Sequence, residues 1–170
     1  MSIQKVKLTL QDMLTDRGYV ITDNSVEDKM IAKNIQSEEI MVLISMVEKL
    51  NINIIKDYIK LIEQLKIPKC IIVYREQITS SARKVIQNLL HINIEVFTFN
   101  ELQYNLTKHR YVKPHIKIKD EELKTISEKY GKNLPILLST DPVSRYYDFK
   151  RGDIIKIIRK GGIISYRTVK

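Results

Sequence analysis

The chain has 170 residues, which is enough for one ordinary domain or two small ones. Lys and Arg number 29 and Asp and Glu 20, for a net charge of +9, and 44% of the residues are hydrophobic, so a packed core is feasible. The single cysteine excludes a disulfide framework and a cysteine-based zinc module, and the lack of a long apolar run or a signal-peptide pattern leads us to expect an intracellular protein without membrane contact.

Helix and strand patterns alternate through the first part of the chain. Three segments place apolar residues at helical spacing and are predicted helices: 3–17, 52–66 and 79–90. Three short apolar or alternating runs are predicted strands: 40–46, 70–74 and 92–99. The run at 40–46 is also compatible with a helix, and residues 23–37 are predicted as a loop with a helical turn. This order predicts a small α/β layer with at least partly parallel strands.

The pattern of helices and strands in the last third of the chain predicts a separate α+β module with a mixed sheet. Residues 105–113 are polar and basic and are predicted to be a linker. A helix is predicted at 120–130, and Asp141 followed by Pro142 is typical of a helix start. Three further runs are predicted strands: 115–119, 153–159 and 163–169. Glycines after Lys160 indicate a tight hairpin turn between the last two strands.

The excess positive charge lies entirely in the last third. Residues 1–107 contain 13 basic and 13 acidic side chains, whereas residues 108–170 contain 16 basic and 7 acidic ones. A step of this size is typical of a boundary between modules with different partners. The basic module is expected to bind phosphate or an acidic protein surface.

The sequence contains no motif typical of catalysis or cofactor binding. Phosphate loops, dinucleotide fingerprints, nucleophile elbows and zinc-protease motifs are absent, and no carboxylate completes a metal site with His109 and His115. A nuclease would need convergent carboxylates on strand ends, but the predicted strands 40–46, 70–74 and 92–99 of the first part contain only Glu95. We therefore expect no catalytic residue, no metal or other cofactor, and no small-molecule substrate.

The start of the predicted helix at 79–90 is the first candidate binding segment. Hydroxyl groups, two cations and the free N–H groups of a first helical turn suit a phosphate. An ordinary helix cap with a solvated first turn explains the same residues. The candidate DNA-contact residues are Thr79, Ser80, Ser81, Arg83 and Lys84.

The second candidate is the segment 141–159, in which a strand with four isoleucines is too apolar to expose either sheet face. Cations surround this strand. A docking surface for a larger protein and a self-contained small sheet with a basic rim both explain the pattern.

The same segment resembles a known family. The motifs Asp141-Pro142-Val143, Arg145-Tyr146, Lys150-Arg151-Gly152 and Ser165-Tyr166-Arg167, together with residues 154–159, resemble the C-terminal end of the fifth subunit of eukaryotic RNA polymerases, a family with a counterpart in archaeal polymerases. Shorter matches include residues 13–19, 78–82, 99–102, 105–109 and 112–115, so the resemblance covers about the whole chain. Ser80 stands where the family has proline.

This resemblance implies a non-catalytic subunit with two parts. Residues 1–107 would form a jaw domain with a nuclease-like fold but no nuclease activity, beside the downstream duplex DNA. Residues 108–170 would form an assembly domain docked on the largest polymerase subunit, in contact with other polymerase subunits. The expected interface residues are Asp141, Pro142, Val143, Arg145, Tyr146, Lys150, Arg151, Gly152, Ile155, Lys156, Ile157, Arg159, Tyr166 and Arg167.

The expected location follows from the source. A cellular polymerase subunit would be nuclear, whereas a subunit from a large DNA virus would be in the virion or a cytoplasmic virus factory. Two rival interpretations remain at this point. One is a free-standing basic nucleic-acid-binding protein, and the other is a nuclease.

Overall fold

The computed structural model describes residues 2–26, 28–89, 91–131 and 133–170. The chain divides into two compact units, Met1–Tyr104 and Asn105–Lys170, which we call unit 1 and unit 2. The sequence analysis placed the domain boundary after Thr107. No helix in the described ranges has the length and apolar character needed to cross a membrane.

Unit 1 is built on a mixed five-stranded sheet with the strand order β1-β2-β3-β5-β7. Strands β1, β2 and β3 are antiparallel, whereas β3, β5 and β7 are parallel. A separate parallel pair joins β4 and β6. The bounds are β1 (Tyr19–Asp23), β2 (Lys29–Asn34), β3 (Glu39–Ile44), β4 (Lys49–Leu50), β5 (Lys69–Tyr74), β6 (Gln77–Ile78) and β7 (Asn93–Thr98).

Three helices accompany this sheet: α1 (Ile3–Asp16), α2 (Ile52–Leu65) and α3 (Ser80–Asn88). The side chain of Asn51 caps α2 by accepting hydrogen bonds from the backbone N–H groups of Asn53 and Ile54 at 3.0 and 3.1 Å. The expected cap of α3 is present, since Thr79 Oγ1 accepts from the Ala82 N–H at 3.2 Å. These local signals explain why the predicted helices agree with the structure.

The segment at 23–37 was predicted incorrectly. It contains β2, which pairs with β1 on one side and β3 on the other. Only Met30 and Ala32 of this strand are buried, so the apolar pattern is too short to identify a strand. Pairing with two neighbours stabilises the strand instead, and that pairing is not visible in the local sequence.

The central strands are buried on both faces. Met41, Leu43, Cys70 and Ile72 pack in one cluster with residues of α2 and α3. The alternate residues, including Val42 and Ile71, are equally buried on the opposite face. The run at 40–46 is therefore a strand rather than a helix.

A buried ion pair joins the end of α1 to the edge strand β7 on this opposite face. The two terminal nitrogens of Arg17 donate to the two carboxylate oxygens of Glu95, each at 2.8 Å. The side chains of Arg17 and Glu95 are only 4% and 18% exposed. Strand β1 directly follows α1 in the chain, and β7 lies at the opposite edge of the sheet from β1. The ion pair therefore links α1 to the sheet edge that is farthest from β1.

Unit 2 is an α+β module with a four-stranded mixed sheet of order β8-β10-β11-β9. Strand β10 is antiparallel to both β8 and β11, and β9 is parallel to β11. Its elements are β8 (His115–Lys117), α4 (Asp120–Tyr130), β9 (Ile136–Leu137), α5 (Pro142–Tyr147), β10 (Ile154–Ile158) and β11 (Ile164–Val169). The two-residue β9 was not predicted, because so short a strand has no readable period.

The mixed α/β architecture agrees with the sequence analysis, and the nuclease-like assignment of unit 1 stays a prediction. In the turn at Lys160–Gly162, Gly161 and Gly162 have φ values of 79° and 78°. Glycine accepts such positive values without strain. The hairpin between β10 and β11 therefore depends on both glycines.

The Arg17–Glu95 pair predicts strong coupling between two residues that are distant in the chain. Replacing Glu95 by Leu leaves the buried guanidinium without this carboxylate and should lower the free energy of unfolding by about 3–5 kcal/mol. Arg17→Met should have a comparable effect, and the double variant should lose much less than the sum. Urea unfolding of the full chain, followed by circular dichroism, measures all three values. Strictly additive losses would contradict a direct interaction.

Candidate nucleic-acid and subunit interfaces

The first turn of α3 presents the candidate DNA-contact residues to solvent. Ser80, Ser81, Arg83 and Lys84 are exposed, whereas the Ala82 side chain between them is buried in the core of unit 1. The first turn contains no acidic residue. Its early N–H groups and two cations can therefore meet a phosphate, which is the chemistry expected from the sequence.

Thr79 has a different position in this segment. Its hydroxyl oxygen accepts from the Ala82 N–H and lies 3.2 Å from the Ser81 hydroxyl. Thr79 thus holds the start of the helix in place. The exposed groups of this segment are therefore Ser80, Ser81, Arg83 and Lys84.

Several acidic residues of unit 1 are held in separate local contacts. Glu95 pairs with Arg17, Glu38 with Lys69 at 3.0 Å, and the Glu101 carboxylate accepts from the Thr98 N–H at 2.7 Å. Among the described residues, no group of three or more His, Cys, Asp or Glu side chains is placed to hold a metal ion.

The titration properties of unit 1 fit structural roles. The hydrogen bond with Lys69 lowers the pKa of Glu38, and the same contact raises the pKa of Lys69, so both groups are charged near neutral pH. Burial raises the pKa of the Cys70 thiol far above its usual range. The thiol is therefore neutral, and it packs in the core.

In unit 2, Asp141 and Pro142 start α5 as the sequence predicts. The Asp141 carboxylate accepts from the Val143 N–H at 2.8 Å, and Pro142 occupies the first turn. The helix ends at Asp148 in the left-handed conformation. These residues shape the segment that leads into β10.

Four of the expected interface residues lie inside unit 2. Ile155 and Ile157 pack with Leu137, Phe149 and Val169, and Ile155 has no exposed surface. Tyr146 is 1% exposed, and its hydroxyl accepts from the Asn105 side-chain amide at 2.9 Å. Val143 is also buried. Substituting any of these four would disturb the fold of unit 2 itself.

The remaining expected interface residues are accessible. Lys150, Arg151 and Gly152 form an exposed turn in which Gly152 has a φ of 93° and donates its N–H to the Val169 carbonyl at 2.9 Å. Pro142 and Arg159 are also exposed. The other members of the set are partly buried: Asp141, Arg145, Lys156, Tyr166 and Arg167.

Strand β10 is covered unequally on its two faces. The face with Ile155 and Ile157 carries the core of unit 2. On the other face, Lys156 lies between Ile116 and Tyr166 on the neighbouring strands. Tyr130 of α4 packs against Tyr166 with ring centroids 5.1 Å apart, but Ile116 and Ile164 remain 47% and 44% exposed. The outer face of this sheet is therefore only partly covered.

Residues 104–169, nearly all of unit 2, match the family model of the RNA polymerase Rpb5 C-terminal domain. The chain is also similar along 96% of its length to a subunit of DNA-directed RNA polymerases I, II and III from Dictyostelium discoideum, named rpabc1, with 28% identity over 94% of that protein. The chain is thus similar to proteins of the Rpb5 family. RPABC1 subunits from Caenorhabditis elegans and Caenorhabditis briggsae are 25% and 26% identical over 97% of the chain and 94% of their own lengths. These matches confirm the family resemblance described in the sequence analysis.

The structure adds residues of the Rpb5 C-terminal domain that the sequence analysis treated as linker. Asn105 is buried, and its side-chain oxygen accepts from both the N–H and the hydroxyl of Thr107, at 2.9 and 2.6 Å. Its amide nitrogen reaches Tyr146. A polar residue two positions before a threonine is a recognisable turn signal, but the partner on α5 is not visible from the sequence.

The Asn105–Tyr146 contact predicts that Tyr146 stabilises the C-terminal domain from within. Tyr146→Phe removes the acceptor of a buried amide and should lower the free energy of unfolding by about 1–3 kcal/mol. Tyr166→Phe is the matched control, since the described residues give its hydroxyl no hydrogen bond, and it should leave stability unchanged. Thermal unfolding of the full chain measures both variants. Equal stability of the two variants would remove this role from Tyr146.

Proposed function

We propose that this protein is a non-catalytic subunit of a multi-subunit DNA-directed RNA polymerase. The observation that carries the proposal is the Rpb5 family match, because the similar proteins are named as polymerase subunits and the similarity includes both units of the chain. Scattered acidic residues engaged in local contacts support a non-catalytic role. Other polymerase subunits would be its partners, and a cellular version would work in the nucleus.

Unit 2 acts in this proposal as the assembly domain on the largest subunit. Its strongly basic charge suits an acidic protein surface. The partly covered outer face of its sheet and the exposed turn at 150–152 are surfaces that a larger protein could cover. Interior residues such as Ile155 contribute only by holding the sheet in shape.

Unit 1 acts as the jaw, and its contact with downstream duplex DNA would be weak and independent of sequence. Residues 1–107 carry no net charge, and phosphate neutralisation supplies most nonspecific affinity. The assembled polymerase would hold the DNA close to α3 at a high effective concentration. Arg83 and Lys84 would then meet the phosphate backbone.

A free-standing nucleic-acid-binding protein is the second candidate, favoured by the net charge of +9. Purification of the native protein from its source separates the two. Co-elution with two much larger chains supports the polymerase assignment, and a free monomer supports the nucleic-acid-binding protein.

Charge reversal on the exposed surface of unit 2 tests its docking role. Arg151→Glu with Lys156→Glu should reduce incorporation into the polymerase about tenfold or more, because reversed charges repel an acidic partner. Lys56→Glu with Lys60→Glu on α2 makes the same change of charge in unit 1 and should leave incorporation unchanged. Quantitative co-purification compares both with the unaltered chain. Normal stoichiometry of the first variant would remove this surface from the docking interface.

A second double variant tests the DNA contact. Arg83→Glu with Lys84→Glu should weaken retention of downstream duplex by the assembled polymerase, most strongly at low salt. Each lost phosphate contact should reduce the slope of log affinity against log salt by about 0.9. The control is Lys124→Glu with Lys129→Glu on α4. An unchanged salt slope in the α3 variant would show that α3 lies outside the DNA path.

A further inference from the structure

A groove of about 280 Å³ lies on unit 2, between the segment before β8, the start of α5 and the strands β9, β10 and β11. We call it the basic groove. Its apolar floor consists of Leu137, Val143 and Ile157, and its cationic rim of Lys113, Arg159 and Arg167. Four of these six residues belong to the expected interface set: Val143, Ile157, Arg159 and Arg167. The sequence analysis assigned Lys113 to the linker and Leu137 to no element.

The floor has the character of a hydrophobic pocket. Leu137 and Ile157 belong to the core cluster of unit 2, and all three floor side chains are buried. Such a floor is rigid because core packing holds its side chains. A groove of this size admits an apolar side chain of a bound molecule.

Hydrogen bonds to uncharged groups hold the three rim cations in place without neutralising their charge. Arg159 Nε donates to Ser165 Oγ at 3.2 Å, and an Arg167 terminal nitrogen donates to the Ile136 carbonyl at 3.1 Å. Lys113 Nζ donates to the Arg110 carbonyl at 3.3 Å. Within the described residues, none of the three forms an ion pair with a carboxylate. Each guanidinium keeps further N–H donors for a planar anion.

Three other titratable groups line the groove, and one of them is Tyr111, whose hydroxyl accepts from an Arg110 terminal nitrogen at 2.8 Å. Asp141 uses one carboxylate oxygen to cap α5, as described above, and it is the single acidic side chain among the lining residues. His115 Nδ1 lies 2.6 Å from the Lys113 carbonyl, and since a carbonyl can only accept, His115 is the donor. The three cations of the rim therefore outnumber the one carboxylate.

We propose that the basic groove binds an acidic peptide segment of the protein on which unit 2 docks. An apolar side chain of the segment lies on the floor, and flanking carboxylates accept from Arg159 and Arg167. This inference rests on the proposed docking function and names the chemistry of the partner. A peptide supplies both an apolar side chain and carboxylates, whereas the sugar–phosphate backbone of duplex DNA has no apolar group to fill a buried floor.

Direct binding by the full chain tests the chemistry of the groove. The probes are fluorescent peptides with the cores Glu-Glu-Leu-Glu-Glu, Glu-Glu-Gly-Glu-Glu and Lys-Lys-Leu-Lys-Lys, and a labelled DNA duplex, measured by anisotropy at low salt. The Leu-containing acidic peptide should bind most tightly among the peptides, and Arg159→Glu with Arg167→Glu should weaken it about tenfold or more. Lys124→Glu with Lys129→Glu is the matched control and should bind normally. Three results would overturn the proposal. They are equal binding by the groove variant and the control variant, equal binding of the Leu and Gly peptides, and a groove-dependent preference for duplex DNA.

Incorporation into polymerase separates this inference from the function on which it rests. The Arg159→Glu, Arg167→Glu variant should fail to co-purify where the unaltered chain does, and Arg159→Gln with Arg167→Gln should give an intermediate loss with normal thermal unfolding. If both groove variants incorporate fully, the groove proposal is wrong and the polymerase function stands. If the unaltered chain itself does not co-purify with polymerase, the proposed function fails.

Discussion

The structure depends on apolar strands whose side chains have to be buried on both faces of a sheet. In unit 1, β3 and β5 carry buried side chains on each side, so helices have to lie on both faces of the sheet. The cluster with α2 and α3 meets this need on one face. The other face includes the ion pair between Arg17 and Glu95, which ties α1 to β7. Unit 1 thereby satisfies the requirement with its own residues.

Unit 2 meets the same constraint incompletely. Ile155 and Ile157 are covered by the unit's own core, but the opposite face retains exposed isoleucines beside Tyr166. A small module has too few residues to cover both faces of its sheet. This difference between the units gives a physical reason why unit 2, rather than unit 1, is the better candidate for a docking surface.

Glu95 has a structural role that its position in the sequence does not indicate. It is the one acidic residue on the predicted strands 40–46, 70–74 and 92–99, where a nuclease would need several convergent carboxylates. In the structure its two oxygens are both engaged by Arg17, and the side chain is largely buried. A carboxylate committed to a guanidinium in this way is poorly suited to bind Mg²⁺. The same residue instead strengthens the sheet edge.

The local signals for helix caps and strands could be recognised from the sequence alone. Thr79 and Asp141 were recognised as helix caps, and the strands around Cys70 and Ile155 were recognised from their apolar runs, because these signals depend on residues within one or two turns of backbone. The uneven charge and the Rpb5 resemblance were equally available without coordinates. Contacts between residues that are far apart in the chain could not be predicted in this way. Arg17 contacts Glu95 across 78 positions, and Asn105 contacts Tyr146 across 41. Strand β2 and the basic groove likewise form only when sheet order brings several segments together, so their residues, such as Lys113 and Arg167, have no common pattern in sequence.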